Sequence, residues 1–250
     1  MTPESLTEME PQPKRMSEIA RLTGVFFEPT KTFEDIAQRP SWLVPLILII
    51  VCALTVTVVF TQHVGWERFF RQQMENSPRM AQMSPEQRDQ ALAMQTKFAP
   101  ISTAVAIAVG LPIYYLIASG VLLGIVAGIM SAPVKFKQVF AVMCYASLTG
   151  VVSSILTLVV MMLKNPDQFN LQNALAFNPG AFMDQQSSSK FLYSLATSLD
   201  LFSFWTIFLI ATGLKAAAGK KLSFGGALFA VVLPWAIYVL GKSAIAGMFG

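Results

Sequence analysis

Five long apolar runs constrain this chain more than any other feature, because each is long enough to cross a lipid bilayer. A helix rises about 1.5 Å per residue, so roughly 20 apolar residues span the ~30 Å hydrocarbon core. Inside a bilayer only helices and closed barrels satisfy every backbone hydrogen-bonding group. The sequence therefore predicts an all-α fold, a polytopic membrane bundle of about five transmembrane helices. The predicted spans are residues 43–61, 101–129, 139–163, 195–214 and 224–249.

The distribution of charge excludes a soluble globular domain. The chain has 18 Lys and Arg and 14 Asp and Glu, whereas 54% of its residues are hydrophobic. Most of the charges fall in residues 1–40 and 67–97, which leaves too few elsewhere for the polar faces that soluble helices need. The net charge of +4 comes from scattered basic residues mixed with acids, so nucleic-acid binding is not expected.

The chain before the first span divides into two parts. Residues 1–16 are rich in Pro and Glu, which predicts a disordered tail. Residues 17–42 carry apolar side chains at helical spacing on either side of Pro29, which predicts short cytoplasmic helices lying on the inner membrane surface. The alternative is a plain cytosolic helix pair. The apolar positions are Ile19, Leu22, Val25, Phe26, Phe33, Ile36 and Ala37.

Residues 62–100 are predicted to form a helical outer loop. Ser84, Pro85 and Gln87 have the pattern of a capped helix start, and this helix could run into the second span.

Trp42 and Trp66 flank the first span, where we expect them to act as membrane-interface anchors.

Orientation follows from the positions of Lys and Arg. Cytoplasmic segments are enriched in these residues, most clearly in short loops. The turn with Lys135 and Lys137 and the turn within residues 215–223 are short and purely basic. We therefore predict a cytoplasmic N-terminus and an outside C-terminus.

Two ionisable residues, Asp200 and Lys242, lie within the apolar spans, where charge is costly and usually has a purpose. Helix rise places both about 21 to 27 Å from the inner turn, on neighbouring helices. We hypothesise that they form an ion pair or line a small outward-facing polar cavity. The alternative is that each side chain reaches the outer headgroups independently.

Gly120, Gly124 and Gly128 repeat at four-residue intervals and form one smooth face of the second span. Such a face allows close helix packing in a membrane. Packing inside the same bundle is the favoured interpretation, and a dimer seam is the alternative.

Nothing in the sequence predicts catalysis. His63 is the one histidine, and no phosphate-binding loop or metal-ligand motif is present. Cys52 and Cys144 lie in apolar runs and are expected to be small hydrophobic residues. We therefore expect no enzyme activity, no cofactor and no metal.

Three features resemble the Ypt-interacting-protein (Yip) domain family, in particular its bacterial branch. They are the stretch from Arg21 to Ile36 (RLTGVFFEPTKTFEDI) followed by Trp42-Leu-Val-Pro45, the segment Ser198 to Trp205 (SLDLFSFW), and Gly213-Leu before a basic turn. The resemblance covers residues from about 17 to the end and implies a five-span domain over residues 43–250 with a cytosolic N-terminus. Resemblance to the bacterial branch implies residence in a bacterial inner (plasma) membrane.

The resemblance also implies a non-enzymatic membrane protein that organises or binds other membrane components. Eukaryotic relatives contact small GTPases, but this chain lacks their Asp-Leu-Tyr-Gly-Pro type of segment, so a GTPase partner is not expected. The expected partners are membrane lipids and other membrane proteins, including a second copy of the chain. The alternative is a small transporter or lipid-handling protein with a polar site around Asp200 and Lys242.

Overall fold

A computed structural model describes residues 15–75, 83–166, 169–184 and 187–249 of the chain. The predicted disordered tail, residues 1–16, therefore lies almost entirely outside the described residues. The described elements are helical, with the following α-helices: α1 (Glu18–Phe27), α2 (Pro29–Gln38), α3 (Leu43–His63), α4 (Trp66–Glu75), α5 (Pro85–Val105), α6 (Leu111–Leu123), α7 (Phe136–Ala146), α8 (Thr149–Leu163), α9 (Lys190–Ser198), α10 (Leu201–Ala218) and α11 (Phe224–Phe249).

Within the described residues, five helical stretches are long and apolar enough to cross a membrane, as predicted. They are Leu43–His63, Pro85–Ile129, Phe136–Leu163, Leu201–Lys221 and Phe224–Met248. The all-α membrane fold predicted from the apolar runs is thereby confirmed.

The second stretch is one helical run of 45 residues. It begins at the predicted capping box, where the Ser84 hydroxyl accepts the Gln87 N–H and the Gln87 side chain accepts the Ser84 N–H. Two π-helical turns, Ala106–Gly110 and Gly124–Ile129, interrupt its α-geometry. The first π-helical turn ends at Gly110, two residues before Pro112. In a regular α-helix the proline ring would clash with the carbonyl group of the preceding turn. The outer helix and the second span are thus continuous.

The third and fourth spans are each broken, which differs from the predicted spans 139–163 and 195–214. In the third, Ser147 and Leu148 separate α7 from α8. In the fourth, α9 ends at Ser198 and α10 begins at Leu201. The second break arises because the Asp200 carboxylate caps a new helix, a role that hydropathy does not reveal.

The N-terminal helices pack into the bundle, and we call α1 and α2 together the N-terminal hairpin. Val25, Phe33 and Ile36 are fully buried, in one core with residues of α7 and α10. These three side chains therefore contact protein and not lipid, whereas the position of the hairpin at the inner membrane surface stays a prediction. Ile19 and Phe27 of α1 point away from this core and are 75% and 84% exposed.

A second, smaller core lies at the opposite end of α3. Phe60, Trp66, Ala99, Met161 and Phe169 are buried there against one another. This cluster joins α3, α4, α5 and α8 with the loop that follows α8, so the predicted outer segment is folded onto the bundle.

Candidate functional site

Asp200 is the N-cap of α10. Its carboxylate accepts hydrogen bonds from the backbone N–H groups of Phe202 (2.9 Å) and Ser203 (3.1 Å) and from the Ser203 hydroxyl. A helix N-terminus carries partial positive charge, so it stabilises a carboxylate at this position. The negative charge expected to need a lysine is thus satisfied by its own helix.

Lys242 lies close to Asp200 but donates elsewhere. Its ammonium group lies 3.1 Å from the hydroxyl of Ser198, the last residue of α9. One helical turn away, the hydroxyls of Ser243 and Ser194 lie 3.3 Å apart and are buried. Among the residues that the structure describes, Asp200 and Lys242 do not form an ion pair. The structure brings both to the α9–α10–α11 junction without joining them.

The glycine face of the second span is open. A Cβ atom added at Gly120, Gly124 or Gly128 would meet nothing within 4 Å. This corrects the favoured interpretation that the face packs inside the bundle. Whatever covers these glycines in a membrane lies outside the described part of this chain.

The two tryptophans expected at the membrane interface have different surroundings. Trp42 is half-buried, and its ring packs edge-on against Phe140 at a centroid distance of 5.3 Å. Trp66 is only 9% exposed and stacks with Phe70, while its indole N–H donates to the Thr61 hydroxyl. Trp66 is therefore a core residue of the outer cluster, which corrects its expected role as an anchor.

A partly buried polar cluster, missed by the sequence analysis, lies where the N-terminal hairpin meets α3 and α7. We call Glu18, Arg21, Asp35, Ser41 and Tyr145 the N-terminal polar cluster. The Arg21 guanidinium donates to Asp35 (2.7 Å), Ser41 (2.8 Å) and Glu18 (3.3 Å). The Tyr145 hydroxyl donates to Glu18, and the Ser41 hydroxyl also donates to Glu18 at 2.8 Å.

Arg21 is the central charge of this cluster. The residue is 5% exposed, and burial alone would lower the pKa of its guanidinium. The hydrogen bonds and charge interactions with Asp35 and Tyr145 together outweigh that effect, so the pKa lies above the ordinary value and the group stays charged. A buried charge with several hydrogen-bonding partners fixes the positions of all of them. The cluster therefore holds α1, α2, the start of α3 and α7 in one arrangement.

Two glycines permit the close packing around this cluster. A Cβ at Gly24 of α1 would lie 2.4 Å from the Thr32 hydroxyl oxygen of α2. A Cβ at Gly213 of α10 would lie 2.4 Å from Val142 Cγ1 of α7 and 2.9 Å from Phe33 Cδ1 of α2. Both glycines fall within the segments that carry the family resemblance, which was the one sequence signal that pointed to them.

The fold and these contacts define a polytopic α-helical membrane protein with an N-terminal helical hairpin built into its bundle. The Yip1 domain matches residues 23–245, and the chain belongs to the Yip1 domain family. No curated protein and no solved structure is similar enough to this chain to be matched.

Proposed function

We propose that this chain is a non-enzymatic Yip-type protein of a bacterial inner membrane that organises or binds other membrane components. Membership of the family supports a membrane protein without catalysis. The observation that carries the proposal is the N-terminal polar cluster, because it fixes the hairpin as a rigid surface on one end of the bundle. A fixed surface can bind a partner without an ordering cost.

This proposal places the hairpin in the cytoplasm and the C-terminus outside. The basic turns, with Lys135 and Lys137 and with Lys220 and Lys221, lie at the end of the bundle where α7 and α11 begin. Gln138 of the third span donates to the Ala37 carbonyl of α2 at 2.8 Å, so the hairpin and these turns share one side.

Copurification from native membranes tests the proposal. The full chain is extracted with a mild detergent or a lipid-preserving polymer, and bound lipids and proteins are identified by mass spectrometry. We expect a reproducible set of partners that is lost in Arg21→Ala, which loosens the hairpin, and kept in Arg71→Ala, which alters only an exposed ion pair with Glu67. Recovery of no component above a matched control membrane protein would contradict the proposal.

The second candidate is a small transporter or lipid-handling protein. Lipid handling is favoured by the polar side chains at the α9–α11 junction, where Lys242, Ser198, Ser194 and Ser243 meet within otherwise apolar spans. Transport of a solute at Asp200 is less well supported, because that carboxylate is already bound by its own helix. A surface groove of about 640 Å³ lies on the second span, at residues between Ser102 and Tyr114, and does not include Asp200.

A further inference from the structure

The N-terminal hairpin extends far along α10, well beyond the end of the bundle from which it enters. Phe33 of α2 packs at Gly213, and Phe26 of α1 packs against Trp205 with ring centroids 5.4 Å apart. Gly213 lies five residues and Trp205 thirteen residues before the end of α10 at Ala218. At about 1.5 Å per residue these contacts lie roughly 8 and 20 Å along a helix that is about 27 Å long.

The tip of the hairpin exposes charged and polar side chains next to the ring of Phe27, which is 84% exposed. Glu28 and Lys31 form an ion pair of 3.0 Å between side chains that are 59% and 72% exposed. Thr30 and Glu34 are exposed beside them. Charged groups at bilayer depth are costly unless they are buried in protein or meet water. This tip is therefore incompatible with a hydrocarbon layer of normal thickness next to it.

The loop between α8 and α9 contacts α10 at its N-terminal end, on the face that the N-terminal hairpin also contacts. The Phe177 carbonyl accepts the Leu201 N–H at 3.1 Å, and the Phe177 and Phe202 rings lie 6.0 Å apart. Next to Phe177, the side-chain amides of Asn178 and Asn173 bond to each other. Phe177 of this loop thus contacts the first turn of α10, with a pair of side-chain amides beside it.

A row of aromatic rings runs from the α8–α9 loop to the N-terminal hairpin. Phe177, Phe202, Trp205 and Phe26 follow one another with centroid distances of 6.0, 6.4 and 5.4 Å. These distances limit the separation of the Phe177 and Phe26 rings to no more than about 18 Å. The hydrocarbon core of a bilayer is about 30 Å thick. The rings at the two ends of this row are therefore closer together than the two surfaces of an unperturbed membrane, and each ring lies within two residues of polar side chains, Glu28 on one side and Asn178 on the other.

We propose that the bilayer is thinned beside α10, between the N-terminal hairpin and the α8–α9 loop, and that phospholipid headgroups cross the membrane at this face. The hairpin tip presents a cation at Lys31 and carboxylates at Glu28 and Glu34. This combination suits the phosphate and ammonium groups of a zwitterionic phospholipid. A thinner bilayer lowers the free-energy barrier to movement of a headgroup between the leaflets, because less of its path lies in hydrocarbon. The inference shares lipid handling with the second candidate function and rests on that class of activity, but it concerns the face of α10 and not the α9–α11 junction.

Cysteine labelling in lipid nanodiscs tests the thinning. In a background with Cys52→Ala and Cys144→Ala, Thr30→Cys is compared with Ile237→Cys. Ile237 is 64% exposed on α11, two residues after Trp235, whose ring contacts that of Phe204 next to Trp205. A membrane-impermeant maleimide should label Thr30→Cys at least about tenfold faster than Ile237→Cys, with equal labelling of both in SDS. Equal protection of both in nanodiscs would overturn the proposal.

Transbilayer movement of a fluorescent phosphatidylethanolamine in proteoliposomes tests the crossing. Dithionite quenching should show movement about tenfold faster than in protein-free liposomes. The double variant Glu28→Leu with Lys31→Leu removes the exposed ion pair, including the cation that the tip presents, and it should return the rate toward that of protein-free liposomes. Rapid labelling of Thr30→Cys with no accelerated movement would overturn lipid crossing. Failure of copurification, by contrast, would contradict the proposed binding role and leave both of these measurements unaffected.

Discussion

Arg21 shows how one side chain can hold several elements of a membrane protein together. Its guanidinium bonds to Asp35 of α2, to Glu18 of its own helix and to Ser41 next to the first span. Because the group is almost fully buried, water cannot replace any of these partners when one is removed.

We predict that Arg21→Ala destabilises the protein by about 3 to 5 kcal/mol, because Asp35 and Glu18 are left without their cation. Thermal unfolding in detergent, followed by intrinsic fluorescence, should show a clearly lower midpoint. Lys31→Ala is the control, since its exposed ion pair with Glu28 contributes less than about 1 kcal/mol. Equal midpoints for Arg21→Ala and the unaltered chain would contradict the structural role of the cluster.

The charge swap at Asp200 and Lys242 has a definite expected outcome. Asp200→Lys places a cation at a helix N-terminus, where partial positive charge disfavours it, and removes a cap that contributes about 1 kcal/mol. Adding Lys242→Asp restores neither the cap nor the hydrogen bond to Ser198. The double variant should therefore be no more stable than Asp200→Lys alone in detergent unfolding. A double variant that recovers stability would show that the two charges are coupled in the membrane.

At the scale of elements, the N-terminal hairpin shows what the sequence can and cannot predict. Apolar residues at helical spacing around Pro29 predict two helices, and the structure places α1 and α2 there. The same spacing does not distinguish a lipid surface from a protein surface as the partner of the apolar face. That distinction depends on Gly213 and Val142, which lie more than 100 residues further along the chain.

The breaks in the third and fourth spans also could not be predicted from the sequence. Hydropathy correctly identifies the apolar run around Asp200, but a cap is a local hydrogen-bonding pattern that hydropathy averages away. The capping box at Ser84, by contrast, is complete within four residues and was predicted from the sequence.

We predict that Gly213→Ala destabilises the bundle by about 1 to 3 kcal/mol, because the added methyl group overlaps Val142 and Phe33. Gly120→Ala is the matched control, since its Cβ meets open space and alanine favours the helix more than glycine does. Unfolding midpoints of the two variants should differ clearly, with Gly120→Ala at or above the unaltered chain. If Gly120→Ala is the more damaging change, the glycine face is packed against another molecule.

At the scale of the whole molecule, we propose that each of the five helical stretches long and apolar enough to cross a membrane crosses it once, which places the two ends of the chain on opposite sides. We predict that a fluorescent protein that folds only in the cytoplasm is active when fused before residue 1. An alkaline phosphatase that requires the periplasm should be active when fused after Gly250. The reverse pair of fusions serves as the control. If one and the same reporter is active at both ends of the chain, the five-span arrangement is contradicted.

The central claim is that the N-terminal hairpin is a fixed part of the membrane bundle and not a mobile tail. Buried α2 residues, the hydrogen bond from Gln138 to the Ala37 carbonyl, and the contact at Gly213 all carry this claim. Hydrogen–deuterium exchange of the full chain in lipid nanodiscs tests it most directly, because exchange reports how often each backbone amide opens. We predict that amides of Phe33 to Gln38 exchange as slowly as those of α7. Complete exchange of these amides within seconds, as in an unfolded peptide, would contradict the account.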